Sequence, residues 1–277
     1  MKFLITGVSS YIARYITQKL LDTGACVTGL SRTEPPIHHP GFQWIKADLS
    51  KDVPEIRTRF DYFIHMAAIA RLNRPASDYF EANLLLTDNI RKLALHLKPR
   101  AVFFTSSIKV YGHINYKSVD ENSPIHNPDL YGMSKYFCEK LLEEACQTIS
   151  IRMPGTVAKG SYGWIDSIYQ KLIRNENISI KNSPYNHVVH AVDIYRFILR
   201  IIETKRFQTD QFNICASGLS TSLEVVRLMK DFLGSDSSIT SVDDDGFHVL
   251  SNKKISAVYQ PMTVLDTIRL YLDEMSR

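Results

Sequence analysis

Short apolar runs alternate with longer amphipathic segments through the first half of the chain, a rhythm that predicts a parallel sheet with crossover helices. Residues 2–6, 26–30, 43–47, 62–65, 101–105 and 149–152 read as strands. Between them, 10–23 places Ile12, Ile16, Leu20 and Leu21 on one helical face and stops at Gly24. The spacing predicts a longer helix over 77–97, with Phe80, Leu84, Thr87, Ile90 and Leu93 or Ala94 inward. Asp129 caps a further helix that carries Tyr131, Lys135 and Glu139. After Arg152 the rhythm breaks, and Gly155, Gly160, Gly163 and Pro184 punctuate a mostly irregular segment with one helix at 164–174. HVVHAVDIYRFILRIIE then predicts a strand end followed by a helix, and 211–215 a returning strand. SLEVVRLMKDFLG and VLDTIRLYLDEM close the chain as amphipathic helices, and no internal repeat is visible.

With 277 residues, 44% of them hydrophobic, the chain can bury one large core or two unequal ones. Its formal charge of +4 comes from interspersed lysines and arginines. There is no polybasic run and no aromatic–basic interleaving, which argues against a nucleic-acid partner. A mildly basic surface suits an anionic cofactor or substrate, and a generic solvated surface accounts for it equally well. KFLITG is too short for a secretory signal, and no run of about 18 apolar residues could span a bilayer, so the expected setting is cytoplasmic. Cys26, Cys138, Cys146 and Cys215 are widely spaced in apolar segments, which predicts buried free thiols rather than a metal site or disulfides.

Thr6-Gly7-Val8-Ser9-Ser10-Tyr11-Ile12-Ala13 follows the first predicted strand and opens the first helix. A dinucleotide's pyrophosphate would meet backbone N–H groups and the helix's positive end there, as in a Rossmann site. A GxxGxxG spacing would put glycine at Ser10 and Ala13, and only Gly7 is present. The same turn would need Gly7 for its backbone angle even without a nucleotide. At the end of the second strand an acidic residue would bind the adenosine ribose, and the chain has Ser31 and Arg32 instead. A hydroxyl followed by a guanidinium can hold a 2′-phosphate, which favours NADP(H) over NAD(H). Alternatively, Arg32 simply ends a strand in solvent.

Tyr131-Gly-Met-Ser-Lys135 places a phenol and an ammonium on one helical face. A free phenol has a pKa of about 10, and a nearby positive charge stabilises phenolate and makes the group useful for proton transfer near neutrality. The pair points to an oxidoreductase acting on a carbonyl or alcohol. On its own the spacing also fits a solvated helix surface.

In order along the chain, TGVSSYIA, Asp48-Leu49, His65-Met-Ala-Ala68, Asn83, Ser107-Ile-Lys-Val-Tyr-Gly112, Tyr131 with Lys135, Arg152-Met-Pro-Gly-Thr, His190-Ala-Val-Asp193 and Phe212-Asn213 resemble the extended short-chain dehydrogenase/reductase family, whose members modify nucleotide sugars. The resemblance covers almost the whole chain. It implies an α/β fold: a Rossmann-type doubly wound parallel sheet with a small, mostly C-terminal substrate-binding region. The dinucleotide-binding domain would be 1–154, completed by 188–215, and the substrate-binding region 155–187 with 216–277. By resemblance Tyr131 is the general acid or base, Lys135 also binds the nicotinamide ribose, and Ser107 holds the reacting oxygen. Cofactor contacts fall on Gly7, Ser9, Ser10, Tyr11, Ile12, Ser31, Arg32, Asp48, Leu49, Met66, Ala67, Ala68, Asn83, Tyr131, Lys135 and Pro154, with no metal.

Three departures narrow the reaction. Family dehydratases carry an Asp-Glu pair after the catalytic Ser or Thr, and the chain has Ile108 and Lys109, so elimination of water lacks its acid and base. Two arginines that grip a substrate diphosphate are replaced, one by Asn186-His187 and one by Asp244-Asp245-Gly246. Lys159, Lys171, Arg174 and Lys181 could substitute for them, and His187 and His190 could touch substrate or serve the strand end. The favoured function is an NADP(H)-dependent reductase of a 4-keto nucleotide (deoxy)sugar. The alternatives are an NAD-dependent nucleotide-sugar C4 epimerase and a non-catalytic NADP-binding regulator. The expected partner is a small-molecule substrate, a nucleotide sugar, and neither nucleic acid nor membrane is expected. The resemblance also implies a possible homodimer through the long helix and the Tyr131 helix, using Tyr79, Phe80, Tyr136, Phe137 and Leu141.

Overall fold

The apolar runs become strands because their residues are buried on both faces, as crossover helices require of a parallel sheet. Phe3, Leu4, Ile5, Phe63, Ile64, Val102 and Phe103 are each at most 1% exposed. The computed structural model describes residues 1–69, 75–114, 117–244 and 248–276. Its elements begin with β1 (Lys2–Thr6), α1 (Tyr11–Asp22), β2 (Cys26–Ser31), β3 (Phe42–Lys46), β4 (Tyr62–His65), α2 (Ala76–Leu97) and β5 (Ala101–Ser107). A 3-10 turn (Ile108–Tyr111), β6 (Ser118–Val119), α3 (Leu130–Glu143), β7 (Thr148–Met153), β8 (Gly155–Val157) and α4 (Trp164–Ile173) follow. Then come β9 (Ile178–Asn182), β10 (Pro184–Tyr185), β11 (Val188–His190), α5 (Ala191–Thr204), β12 (Asp210–Asn213) and β13 (Ser220–Thr221). The chain ends with α6 (Ser222–Leu233), β14 (Ile239–Asp243), β15 (Val249–Leu250), α7 (Lys253–Ser256) and α8 (Val264–Met275).

Two compact units result. The first comprises Met1–His113, Ser123–Arg152 and Phe197–Phe212; the second comprises Ile114–Asn122, Met153–Arg196 and Asn213–Arg277. The sheet of the first unit has the order β12-β7-β5-β4-β1-β2-β3. Its pairs β3–β2, β2–β1, β1–β4 and β4–β5 are parallel. Strand order reverses between β1 and β4, which opens a crevice at their C-terminal ends where doubly wound sheets bind ligands. This is the Rossmann-type α/β architecture. Its core joins Leu4, Leu30, Phe63, Ile90, Leu93, Val102, Phe104 and Leu142.

Several details differ from the sequence pattern. Ala13, Ile16, Thr17, Leu20 and Leu21 form the buried face of α1, while Ile12 is only half-buried because it lies in the open first turn. On α2, Asn83 and Thr87 are buried beside Ile90, and Phe80 is only half-buried. Cys26, which opens β2, is exposed and Cys146, just before β7, is half-buried, while Cys138 and Cys215 are buried; all four are free. In the second unit the segment expected to be irregular contains short paired strands. β8 pairs with β11 in parallel, β9 with β14 in parallel, and β10 with β13 antiparallel. Such pairs are too short to show a period in the sequence. They pack with α4, α6 and α8 around Ile168, Leu172, Val188, Val226, Met229, Ile268 and Leu272.

Candidate active site

At the C-terminal end of β1 the chain turns at Gly7, whose φ is +73°. A Cβ there would stand 2.9 Å from the Cα and N of Ala67, so this glycine serves both the turn and the close approach of the β4 end. Ser10, where the family pattern has glycine, caps α1 by accepting the Ala13 N–H at 3.4 Å. The crevice beside this turn has a volume of about 130 Å³. Gly7, Ser9, Ser10, Ser31, Arg32, Asp48, Leu49, Met66, Ala67 and Ala68 line it, as do Leu30, Ala47, Ser50, Ile69 and Leu86. The last five carry no motif and reach the crevice only because their strand and helix ends converge on it. Tyr11, Ile12, Asn83, Tyr131, Lys135 and Pro154 are not among its lining, and Pro154 belongs to the second unit.

Polar partners in the crevice are unevenly committed. Ser31 Oγ donates to the Thr33 carbonyl at 2.7 Å and accepts from Trp44 Nε1 at 3.1 Å. Its proton is thus engaged with the Thr33 carbonyl in this structure. Arg32 is exposed at the rim. Asp48 accepts from the Ser50 hydroxyl at 2.7 Å, which with Lys51 and Arg32 holds its carboxyl below the usual range.

Behind the crevice runs a buried chain of hydrogen bonds whose direction is determined by its first member. Thr6 Oγ1 accepts the N–H groups of Met66 at 3.1 Å and Ala67 at 3.0 Å. Its own proton then goes to His65 Nδ1 at 2.7 Å, which leaves the imidazole proton on Nε2 for Thr87 Oγ1 at 3.2 Å. Thr87 donates to Cys138 Sγ at 3.1 Å, and Cys138 to the Asn83 carbonyl at 3.4 Å. Burial, with the Lys135 charge nearby, pushes His65 down to about 3, so the ring stays neutral. His65 thus links the Gly7 turn to α3. The Asn83 side chain adds a second link: it accepts from Ile69 N at 2.8 Å and donates to Ser134 Oγ at 3.2 Å. Ser134 in turn donates to the Tyr131 carbonyl at 2.8 Å. Thr6, Thr87 and Ser134 were not singled out by the sequence pattern, because isolated hydroxyls acquire meaning only from their partners.

α3 carries Tyr131 and Lys135 four residues apart, and Asp129 caps it by accepting Gly132 N at 2.7 Å. Lys109 lies where a dehydratase would need a carboxylate, and its Nζ pairs with Asp129 Oδ2 at 2.9 Å. Burial alone would raise Asp129, but the Gly132 N–H and the Lys109 ammonium outweigh it and lower the carboxyl. Lys135 is 3% exposed, and its Nζ donates to the Thr105 carbonyl at 2.8 Å. Burial lowers its pKa to about 8 against the opposing pull of Cys138 and Glu139. Ser107, two residues beyond Thr105, is half-buried at the end of β5 and accepts the Lys109 N–H at 3.2 Å. That bond leaves the Ser107 hydroxyl proton available to another oxygen.

The second unit has its own pocket of about 500 Å³, lined in part by Trp164, Ile165, Asp166, Ile180, Lys181 and Tyr185. The Trp164 and Tyr185 rings lie 5.1 Å apart. Lys181 is the sole lysine or arginine in the described lining, and it pairs with Asp244 at 3.5 Å. Lys159, Lys171 and Arg174 do not line this pocket, and Asp245 and Gly246 lie outside the described residues. Asn186 is 4% exposed and clamps Leu250, donating to its carbonyl at 2.8 Å and accepting its N–H at 3.1 Å. It is a structural clamp, so no arginine-like grip acts from this position. His187 lines the pocket and is lowered to about 4 by burial and by His248. His190 instead accepts Val192 N at 3.1 Å and faces Glu274 at 3.2 Å, at the start of α5. Among the described residues no group of three or more His, Cys, Asp or Glu is placed to hold a metal ion.

Comparison with known proteins agrees with the fold. CDP-abequose synthase of Salmonella muenchen is 24% identical over 250 residues, covering 86% of this chain and 83% of that protein. The 2-alkyl-3-oxoalkanoate reductase of Shewanella oneidensis is 23% identical, over 69% of this chain and 57% of the reductase. The chain spans 62% of the length of protein y4nG of Sinorhizobium fredii, to which it is 23% identical. Among solved structures, the Bordetella bronchiseptica enzyme WbmG in complex with NAD superposes with a TM-score of 0.84 at 17% identity, covering 100% of this chain and 94% of that one. UDP-glucuronic acid 4-epimerase from Bacillus cereus in complex with NAD gives 0.83 at 19% identity, with 100% and 96% covered. The sequence model of the NAD dependent epimerase/dehydratase family matches residues 3–215, and the chain belongs to that family.

Proposed function

We propose that the protein is an NADP(H)-dependent reductase that converts a 4-keto nucleotide (deoxy)sugar to the hydroxy sugar. The observation that carries this reading is the bond from Lys135 to the Thr105 carbonyl, which gathers the ammonium and Ser107 at one strand end. Tyr131 shares the helical face of Lys135. Ser107 would donate its remaining proton to the substrate carbonyl oxygen, and Tyr131 would deliver a proton to that oxygen as alkoxide charge develops. Lys135 would favour phenolate at Tyr131 after the proton has left, and would hold a ribose hydroxyl of the cofactor. The nicotinamide cofactor supplies the hydride when bound. The Gly7 turn, whose close approach to Ala67 leaves backbone rather than side chain at the crevice, fits such a cofactor. Arg32 would be the cation at that rim for a 2′-phosphate, beside Ser31, whose hydroxyl is bonded to the Thr33 carbonyl.

Lys109 paired with Asp129 is no acid or base for dehydration. The pocket of the second unit, with rings at Trp164 and Tyr185 and a cation at Lys181, has the chemistry to hold a nucleotide. The curated relative named for a CDP-sugar product supports the substrate class. Phe80 and Phe137 meet edge to face on α2 and α3, and Phe137 is 45% exposed, which supports a homodimer through these helices with Tyr136 and Leu141. The side chain of Tyr79 lies outside the described residues.

The epimerase reading rests on the same Ser107, Tyr131 and Lys135 and on the NAD complexes among the structural neighbours. Purified protein assayed with NADPH and a panel of keto nucleotide sugars separates the two. Stoichiometric NADPH oxidation with a hydroxy-sugar product supports the reductase. Tightly bound NAD that survives dialysis, with no net cofactor consumption, would establish the epimerase.

A further inference from the structure

Glu139 lies one turn beyond Lys135 on α3 and is fully buried. Its Oε1 accepts the Ser106 hydroxyl at 2.5 Å and Arg152 Nε at 3.0 Å, and its Oε2 accepts Arg152 Nη2 at 2.7 Å. Arg152 Nη1 donates to the Tyr111 hydroxyl at 3.2 Å, and the guanidinium carbon lies 5.1 Å from the centre of that ring. One carboxylate thus ties α3 to the end of β5, to β7 and, through Arg152, to the 3-10 turn.

A buried ion pair is a poor device for stability, because desolvation cancels much of the attraction and apolar replacements are often as stable. What it supplies is direction: a bidentate fork and a short charge-assisted bond allow few alternative geometries. The residue it grips stands between the two that matter for the site. Thr105 provides the carbonyl that holds Lys135, and Ser107 provides the hydroxyl. We propose that Glu139 is a positioning residue: by gripping Ser106 and Arg152 it sets the strand end 105–107 against α3 and so holds the Lys135 ammonium and the Ser107 hydroxyl in register with Tyr131. This rests on the reading of Ser107, Tyr131 and Lys135 as the proton-transfer group.

Charge and position predict opposite signs, which makes the role separable from bulk electrostatics. The titratable and charged groups around Lys135 are Cys138 and Glu139 on α3 and His65 at the end of β4, with Arg152 and Tyr111 behind the carboxylate. Burial raises Cys138, and His65 stays neutral. Glu139→Gln removes a negative charge, which by itself would lower the titration midpoint of Tyr131 and favour phenolate. If Glu139 positions Lys135, its loss lets the ammonium move off, and the midpoint rises instead. Ser106→Ala breaks only the strand link and changes no charge, so positioning predicts a rise and a merely structural role predicts no change.

The experiment is an ultraviolet difference titration of each full-length variant against the same variant carrying Tyr131→Phe, which isolates the Tyr131 phenolate. Upward shifts in Ser106→Ala and Glu139→Gln, with recovery in Ser106→Thr, are the expected result. An unchanged midpoint in folded Ser106→Ala, or a downward shift in Glu139→Gln, would overturn the proposal. If Glu139→Gln fails to fold, Ser106→Ala still decides. Failure of the catalytic reading looks different: Tyr131→Phe would then keep its turnover in the keto-sugar panel, whatever the titrations show.

Discussion

Lys135 donates to the Thr105 carbonyl at 2.8 Å, so a buried ammonium on α3 is held by the strand that ends in Ser107. Its pKa of about 8, lowered by burial from 10.5, implies two pH effects of different origin. Turnover that needs the ammonium should fall as the pH rises through about 8. Stability should move the other way. Between about 8 and 10.5 the unfolded chain keeps this proton and the folded chain does not, so unfolding free energy rises with pH across that window. Lys135→Met should remove that contribution to the rise and lower turnover by about 10²–10⁴-fold. Denaturant titrations at several pH values, with parallel rate measurements, check both.

Arg32→Ala should raise the KM for NADPH about tenfold or more, the loss of one charge-assisted contact, and leave the KM for NADH nearly unchanged. Equal changes with both cofactors would show that Arg32 binds no 2′-phosphate. Ser31→Ala should not discriminate between the cofactors, because the hydroxyl proton is already bonded to the Thr33 carbonyl.

Gly132 follows Tyr131 in the first turn of α3, and a Cβ there would collide with the Lys109 carbonyl oxygen. Gly132→Ala should push this turn away from the 3-10 turn, breaking the geometry of the Asp129 cap and displacing Tyr131. The expected cost is about 1–3 kcal/mol of stability, as for an overpacked core, with a fall in kcat exceeding any change in cofactor KM. Chemical denaturation and steady-state kinetics on the same preparation would measure it.

Asn186→Ala should destabilise the protein by about 1–3 kcal/mol, since both the N–H and the carbonyl of Leu250 lose their partner. Substrate KM in the folded variant should stay close to that of the parent protein. A large rise in KM without loss of stability would show that Asn186 touches substrate after all.

Much of the first unit was legible in the chain. Strands buried on both faces leave continuous apolar runs, which is why β1 and β4 have the bounds that the pattern predicts. The Asp129 cap and the Tyr131–Lys135 face were equally readable, because a cap and an i, i+4 pair are local relations. The second unit was less readable. β8, β10 and β11 are two or three residues long, too short to show a period, and each exists only because a distant segment pairs with it. Relations that depend on distant partners were not readable. The bonds of Ser31 to Thr33 and Trp44 and the clamp of Asn186 on Leu250 leave no trace in the local pattern.

The sequence by itself determined the class of fold, the order of the motifs and the pairing of Tyr131 with Lys135 on one helical face, because these follow from periodicity and from local spacing. It could not determine which hydroxyls still have a proton to give, which charges are already paired, or that Glu139 joins α3 to the Ser107 strand end. Those properties belong to hydrogen bonds between residues far apart in the chain. Burial decides their strength, and only tertiary packing decides burial.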